Sequence, residues 1–210
     1  MAVPKRTYRQ SARAQAAEAT AARILDVFAA ALRERWFDEI RLDEVAREAG
    51  VTVQTVIRRF GSKEGLLDAM HERLGSEIRQ RRDVAAGDVD GAVASIVEDY
   101  EKVGDLVMRS LAQEERYAAV KAMTDLGRAM HREWTAKAFE PWLEPMAPDS
   151  RRRAVDALVV AADIYVWKLL RRDMGRPLEE YRALVETMCS AAIGVPPERL
   201  FNQNTSGDLE

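Results

Sequence analysis

Apolar residues recur at threes and fours along almost the whole chain, and nowhere alternate as a half-buried strand requires. Ile24, Leu25, Phe28 and Leu32 predict a helix from about Ala16 to Arg35. Leu42, Val45, Ala46 and Ala49 mark the inner face of a second helix. Gly50 ends it, and Thr52 stands where an N-cap belongs. A short helix to about Phe60 follows, with Val56 and Phe60 inward. Ser62 is placed to cap a fourth helix that runs towards Arg82.

Beyond a Gly- and Asp-rich stretch between Asp83 and Asp90, the helical spacing resumes. Ile96, Tyr100, Val103, Val107 and Leu111 define one helix; Met123, Leu126, Met130, Trp134 and Phe139 define another. Pro141, Pro145 and Pro148 then predict a rigid loop. Asp149 or Ser150 would cap a helix over Arg151–Met174. Its middle is apolar almost all round, which predicts burial on every side. After Pro177, Tyr181, Leu184, Val185, Met188, Cys189 and Ala192 form the stripe of a last helix. The chain reads as all-α, with about nine helices.

This division predicts a basic disordered arm over 1–15 carrying Lys5, Arg6, Arg9 and Arg13. A first helical domain over 16–70, a second over 71–195 and a polar tail over 196–210 would follow. Composition fits: 47% of the 210 residues are apolar and 32% charged, enough for a sizeable core and a soluble surface. The net charge of −3 is unevenly spread. Residues 1–85 hold 16 Lys+Arg against 13 Asp+Glu, or +3, which leaves 16 against 22, or −6, for the remainder. A DNA-binding domain joined to an acidic second domain shows that asymmetry.

The pair of helices around Gly50 has the outline of a helix-turn-helix, whose second helix enters the DNA major groove. Residues at its start meet base edges, here Thr52, Val53, Gln54 and Thr55. Arg58 and Arg59 follow on the outer side. No acidic residue lies between Thr52 and Lys63. Lys63, at the start of the fourth helix, is placed to share a phosphate with the backbone N–H groups there. Gln54 has the amide to read adenine, and Val53 or Thr55 can touch a thymine methyl.

These segments together resemble the tetracycline-repressor (TetR) family of bacterial regulators. The resemblance rests on Arg23-Ile24-Leu25-Asp26, Glu34-Arg35-Trp36-Phe37-Asp38, Ala49-Gly50-Val51-Thr52, Arg58-Arg59-Phe60 and Ser62-Lys63-Glu64-Gly65-Leu66-Leu67, roughly the first third of the chain. Four departures stand out. Trp36 replaces a usual Gly, and Arg41 a usual capping Thr. Ile57 and Arg59 stand where Tyr and His are common, and Gln54 where Gly or Ala is common. Losing the Tyr hydroxyl removes one expected phosphate contact, and Arg59 supplies a forked one in its place. The DNA-binding set is therefore Arg41, Thr52, Val53, Gln54, Thr55, Ile57, Arg58, Arg59 and Lys63.

The resemblance also implies that the two C-terminal helices pair with their copies in a second subunit. Leu158, Ala162, Leu169, Tyr181, Val185 and Met188 are the expected dimer contacts. The resulting homodimer would fit a pseudo-palindromic operator in double-stranded DNA. Family members bind a small molecule between the middle helices. Here Tyr100, Met108, Met130, Trp134, Tyr165 and Trp167 would suit a hydrophobic effector. Asp163, set among apolar neighbours, requires an Arg partner, the other subunit or the ligand. The implied protein is a cytoplasmic transcriptional repressor.

Other classes find less support. No nucleophile beside a base, paired carboxylates or metal-ligand spacing points to an enzyme, and no cofactor or metal is expected. No apolar run is long enough to span a membrane. A lone Cys189 cannot form an internal disulfide. An all-α protein-interaction module and a ligand-independent DNA-binding protein remain the alternatives.

Overall fold

The computed structural model describes residues 5–201, with side chains from Arg13 onward. Residues 1–4 and 202–210 lie outside it, and with them the ends of the expected arm and tail. Among the described residues all regular structure is helical. No helix there is long and apolar enough to cross a membrane.

The chain divides into two compact units, and neither is one continuous segment. The first takes the described residues up to Leu74 together with Ala112–Met123. The second takes Gly75–Leu111 and the chain from Thr124 onward. The expected boundary near residue 70 falls close to the first crossing, but the return of Ala112–Met123 to the first unit was not foreseen.

In the first unit, α1 spans Lys5–Glu34. It begins well before the expected Ala16, because the run from Lys5 contains neither Gly nor Pro and is rich in Ala, the strongest helix former. The basic segment is thus helical from Lys5. A 3-10 turn at Phe37–Glu39 leads to α2 (Leu42–Glu48), α3 (Val53–Phe60) and α4 (Lys63–Arg81). Ile24, Phe28, Leu32, Phe37, Ile40, Val45, Val56 and Leu66 form the core, each at most 4% exposed. Ala112–Met123 completes this core from outside the helix-turn-helix. The Phe37 N–H donates to the buried Gln113 Oε1 at 2.5 Å, Tyr117 packs edge-on against the Phe37 ring at 5.5 Å, and Arg116 pairs with Asp38 at 3.0 Å.

The second unit continues through α5 (Val89–Leu111), α6 (Ala118–Ala138) from Thr124 onward, α7 (Glu140–Leu143), α8 (Pro148–Ala161), α9 (Ile164–Trp167), a π-helix (Lys168–Asp173), α10 (Leu178–Ile193) and α11 (Pro197–Leu200). Three expectations change here. Pro141 and Pro148 open α7 and α8 instead of excluding helix, since a first-turn residue needs no N–H donor. The helix expected over Arg151–Met174 breaks at Ala162, where the Asp163 carboxylate accepts the Tyr165 N–H at 2.8 Å and caps α9. Asp163 therefore partners a backbone amide rather than an Arg. Burial still holds its carboxyl above the usual carboxylate range. Finally, α11 and the buried Leu200 extend the fold into the expected tail.

The core of this unit lies where α8, α9 and α10 meet α5 and α7. Leu158, Trp167, Tyr181, Val185 and Cys189 are all fully buried there. A second cluster ties the end of α4 to α5 and to the last turns of α6. The buried Asp99 carboxylate accepts from Arg81 Nε and Arg82 Nε at 2.6 and 2.5 Å. Arg82 also lies over the rings of Tyr100 and Trp134. A fully buried carboxylate requires such charged partners.

Candidate nucleic-acid interface

The geometry of the two-helix motif follows from two residues. Gly50 takes φ +68°, a left-handed conformation that costs other residues free energy, and so turns the chain between α2 and α3. Thr52 then caps α3: its Oγ1 accepts the Thr55 N–H at 3.3 Å and lies 3.0 Å from the Thr55 hydroxyl. With Val56 fully buried and Phe60 partly so, the register of α3 is set, and the opposite side faces solvent.

That exposed side carries Thr52, Gln54, Ile57, Arg58 and Arg59, while Val53 and Thr55 are half-buried at its edge. Ile57 is 41% exposed, an apolar side chain on an otherwise polar surface. Arg58 has no ion-pair partner among the described residues. The face therefore combines an amide, hydroxyls, a branched apolar group and two guanidinium groups. Those are the groups that read base edges and phosphates.

Two members of the expected set serve other ends. Lys63 Nζ donates to the carbonyls of Phe37 at 2.8 Å, Ile40 at 3.2 Å and Asp38 at 3.4 Å, and it lies 4.6 Å from the Phe37 ring centroid. An ammonium has three N–H groups, and all three are used inside the unit. Lys63, expected at a phosphate, is thus tied to the carbonyls around the short 3-10 turn, one of which also accepts the Ile40 N–H. Arg41 leaves α2 without a side-chain cap and instead forks onto Asp43, through Nε at 3.0 Å and Nη2 at 3.3 Å. It remains on the surface near the motif, partly neutralised.

Arg59 has a partner that the sequence did not suggest. Its Nη2 lies 2.6 Å from Oε1 of Glu18 on α1. The only hint was that Glu18 is the sole acidic residue in the first 25. Beside this pair, Ala16, Ala17, Thr20 and Ala21 of α1 face Thr55, Arg58 and Arg59 of α3 across a groove of ≈ 460 Å³. Small side chains on the α1 wall leave it open.

In the second unit, the residues expected to line one ligand pocket separate into different settings. Tyr100 is buried, donates to the Ala162 carbonyl at 3.1 Å and lies 6.3 Å from the Trp167 ring. Trp167 is fully buried and donates to Glu101 at 2.7 Å. Trp134 donates to the Arg82 carbonyl and stacks on His131. Met108 and Met130 are half-buried, the latter beside Arg79 Nη1 at 3.8 Å, whereas Tyr165 is 54% exposed on the surface.

The expected dimer contacts need a similar correction. Leu158, Ala162, Tyr181 and Val185 are core residues, each at most 3% exposed, because α8 and α10 pack their apolar stripes against each other. Met188 is half-buried, and Leu169 alone of the six is well exposed. The large apolar side chains of the described second unit that do reach solvent are Leu126, Val160, Tyr165, Leu169, Met174, Leu178 and Leu184, between 38% and 64% exposed.

Comparison with known proteins fits this geometry. Residues 24–70 match the family model described as bacterial regulatory proteins, tetR family. The match ends at Met70, close to the first crossing between the units. Among solved structures, the chain is similar to a tetR-family transcriptional regulator from Streptomyces coelicolor, with a TM-score of 0.59 and 18% identity, over 88% of this chain and 89% of that one. The likeness therefore extends through both units at the level of the fold. No curated protein matches the chain.

Proposed function

Because residues 24–70 match the model of the tetR family of bacterial regulatory proteins, we propose a homodimeric, sequence-specific DNA-binding transcriptional regulator of the cytoplasm. It represses by occupying a pseudo-palindromic operator and leaves it when a small molecule binds the second unit. The observation that carries the reading is the outward face of the capped helix α3, with Gln54, Ile57 and Arg58 free of the core.

On this reading Arg58 and Arg59 position the protein on phosphates, and Gln54 reads adenine through its amide. Ile57 replaces a hydroxyl with branched methyl groups, suited to a thymine methyl. Val160, Leu169 and Leu184, large apolar side chains left exposed on the second unit, support an outer dimer face there. The ligand reading draws on Tyr181 Oη, Ser190 Oγ and His131 Nδ1, buried polar atoms with no hydrogen-bond partner among the described residues. Such atoms require a water or a bound molecule. The effector on this reading is a hydrophobic small molecule.

Selection of bound duplexes from a random library, at a stated salt concentration, tests the proposal. A recovered palindrome with half-sites about one helical turn apart, roughly 34–36 Å, supports a dimer that reads DNA. Failure to enrich any sequence, both alone and with cell extract present, overturns it. Substituting Gln54→Ala should relax preference at a single base pair, with about 1–3 kcal/mol of discrimination lost there.

A further inference from the structure

We infer that Glu18 is a positioning residue of the DNA-binding face, one that holds the Arg59 guanidinium off the phosphate backbone and so restrains affinity for any duplex. The inference rests on the DNA-binding reading above.

The contact joins α1 to α3 across 41 residues of chain, with Arg59 Nη2 2.6 Å from Glu18 Oε1. Nothing in the fold of the unit requires it. Both side chains are exposed, Arg59 at 45% and Glu18 at 69%, and neither reaches the core. The pair sits at the open groove between α1 and α3, which Arg59 helps to line. Arg58, its neighbour in sequence, has no ion-pair partner among the described residues. No carboxylate lies between Thr52 and Lys63, and the one that pairs with Arg59 is Glu18 on α1.

A carboxylate and a phosphate present the same acceptors to a guanidinium, so the two compete for one set of N–H donors. A phosphate that approaches Arg59 must displace Glu18, and the displaced carboxylate then stands near a like charge. Exposed side chains swing easily, and an exposed ion pair is weak. The restraint is therefore small, on the order of two- to fivefold in affinity, by the usual strength of such pairs. Because phosphates carry no sequence information, it acts alike on the operator and on unrelated DNA. Salt screens it over a Debye length of about 10 Å at 0.1 M, so it is largest at low ionic strength.

The test titrates the full-length protein against a selected duplex and a scrambled one, at several salt concentrations. Glu18→Gln keeps the side chain and removes the charge. It should tighten binding to both duplexes by the same two- to fivefold, and steepen the salt dependence by at most about 0.9 in the log–log slope. Arg59→Gln should weaken both, and adding Glu18→Gln to it should then give a smaller gain than Glu18→Gln gives in the wild type. Unaltered or weaker binding by Glu18→Gln overturns the inference, as does an equal gain in the Arg59→Gln background, which would mark a diffuse charge effect. A wild-type protein that binds no duplex overturns the DNA-binding reading and this inference together. Wild-type binding with an unresponsive Glu18 overturns the inference alone. Thermal melting of each variant shows that the unit remains folded.

Discussion

A Cβ atom on Gly104 would stand 2.4 Å from the six-membered ring of Trp167. The ring therefore occupies the space that any larger residue of α5 would fill. Arg172 lies 4.3 Å from the centroid of the same ring, and the Trp167 N–H reaches Glu101. Arg171 and Arg172 in turn pair with Glu101 and Asp105, one turn apart on α5. Trp167 and Arg172 are five residues apart, a spacing that the wider π turn brings together. Gly104→Ala should lower stability by about 1–3 kcal/mol through overpacking. Chemical denaturation with Trp fluorescence as the signal checks it, and an unchanged midpoint would show that the ring can move aside.

Lys63→Met should destabilise the first unit while leaving the salt dependence of DNA binding in place. Its ammonium holds three carbonyls, and hydrogen bonds to a charged group contribute about 1.5–3 kcal/mol before solvent exposure weakens them. A drop of about 1–2 kcal/mol is expected. A flattened salt slope with full stability would restore Lys63 to the phosphates.

The second unit offers two kinds of apolar substitution with opposite results. Leu158→Ala removes a fully buried side chain and should cost about 2–5 kcal/mol of stability. Val160→Glu with Leu184→Glu places charge on exposed groups and should leave helicity intact but yield monomers. Light scattering after size exclusion distinguishes the cases. A dimer that survives the double substitution would place the subunit contact elsewhere.

His131 makes acid stability measurable. Burial, with a smaller push from the Arg82 charge, lowers its pKa from 6.5 to about 4. An unfolded chain takes up the proton near pH 6.5, whereas the folded one stays neutral until about pH 4. The contribution is therefore complete above pH 6.5 and is lost as pH falls towards 4. At most about 3 kcal/mol is involved. The stability of His131→Gln should fall less steeply than that of the wild type across this window, in urea titrations at pH 7, 6, 5 and 4.

Much of this was legible in the residues, for identifiable reasons. Gly50, Thr52 and Val56 act through local geometry, which a short window of sequence contains, and the helix-turn-helix emerges with its register intact. Leu158 and Tyr181 mark the limit. Their periodicity announces burial, but a stripe does not say whether it meets its own chain or another, so core residues read as a dimer face. Asp163 broke a helix that was apolar on all sides, where no polar face existed to fix its course. Lys63 is the sharper case. An ammonium at a helix start suits a phosphate and a row of carbonyls equally, and only the position of the Phe37 turn decides between them. Glu18 acts across 41 residues, beyond the reach of any local pattern.

The placement of Gln113 and Tyr117 against Phe37 also constrains the order in which the protein can be made. A chain emerging from the ribosome has all three motif helices outside long before Met123 appears. Until then the Phe37 amide lacks its acceptor, and its ring lacks a cover. Synthesis runs at about 5–20 residues per second, so the motif waits several seconds, incomplete, for a segment made later. Throughout that interval a nascent protein that already displays its recognition helix would still be without the piece that steadies it.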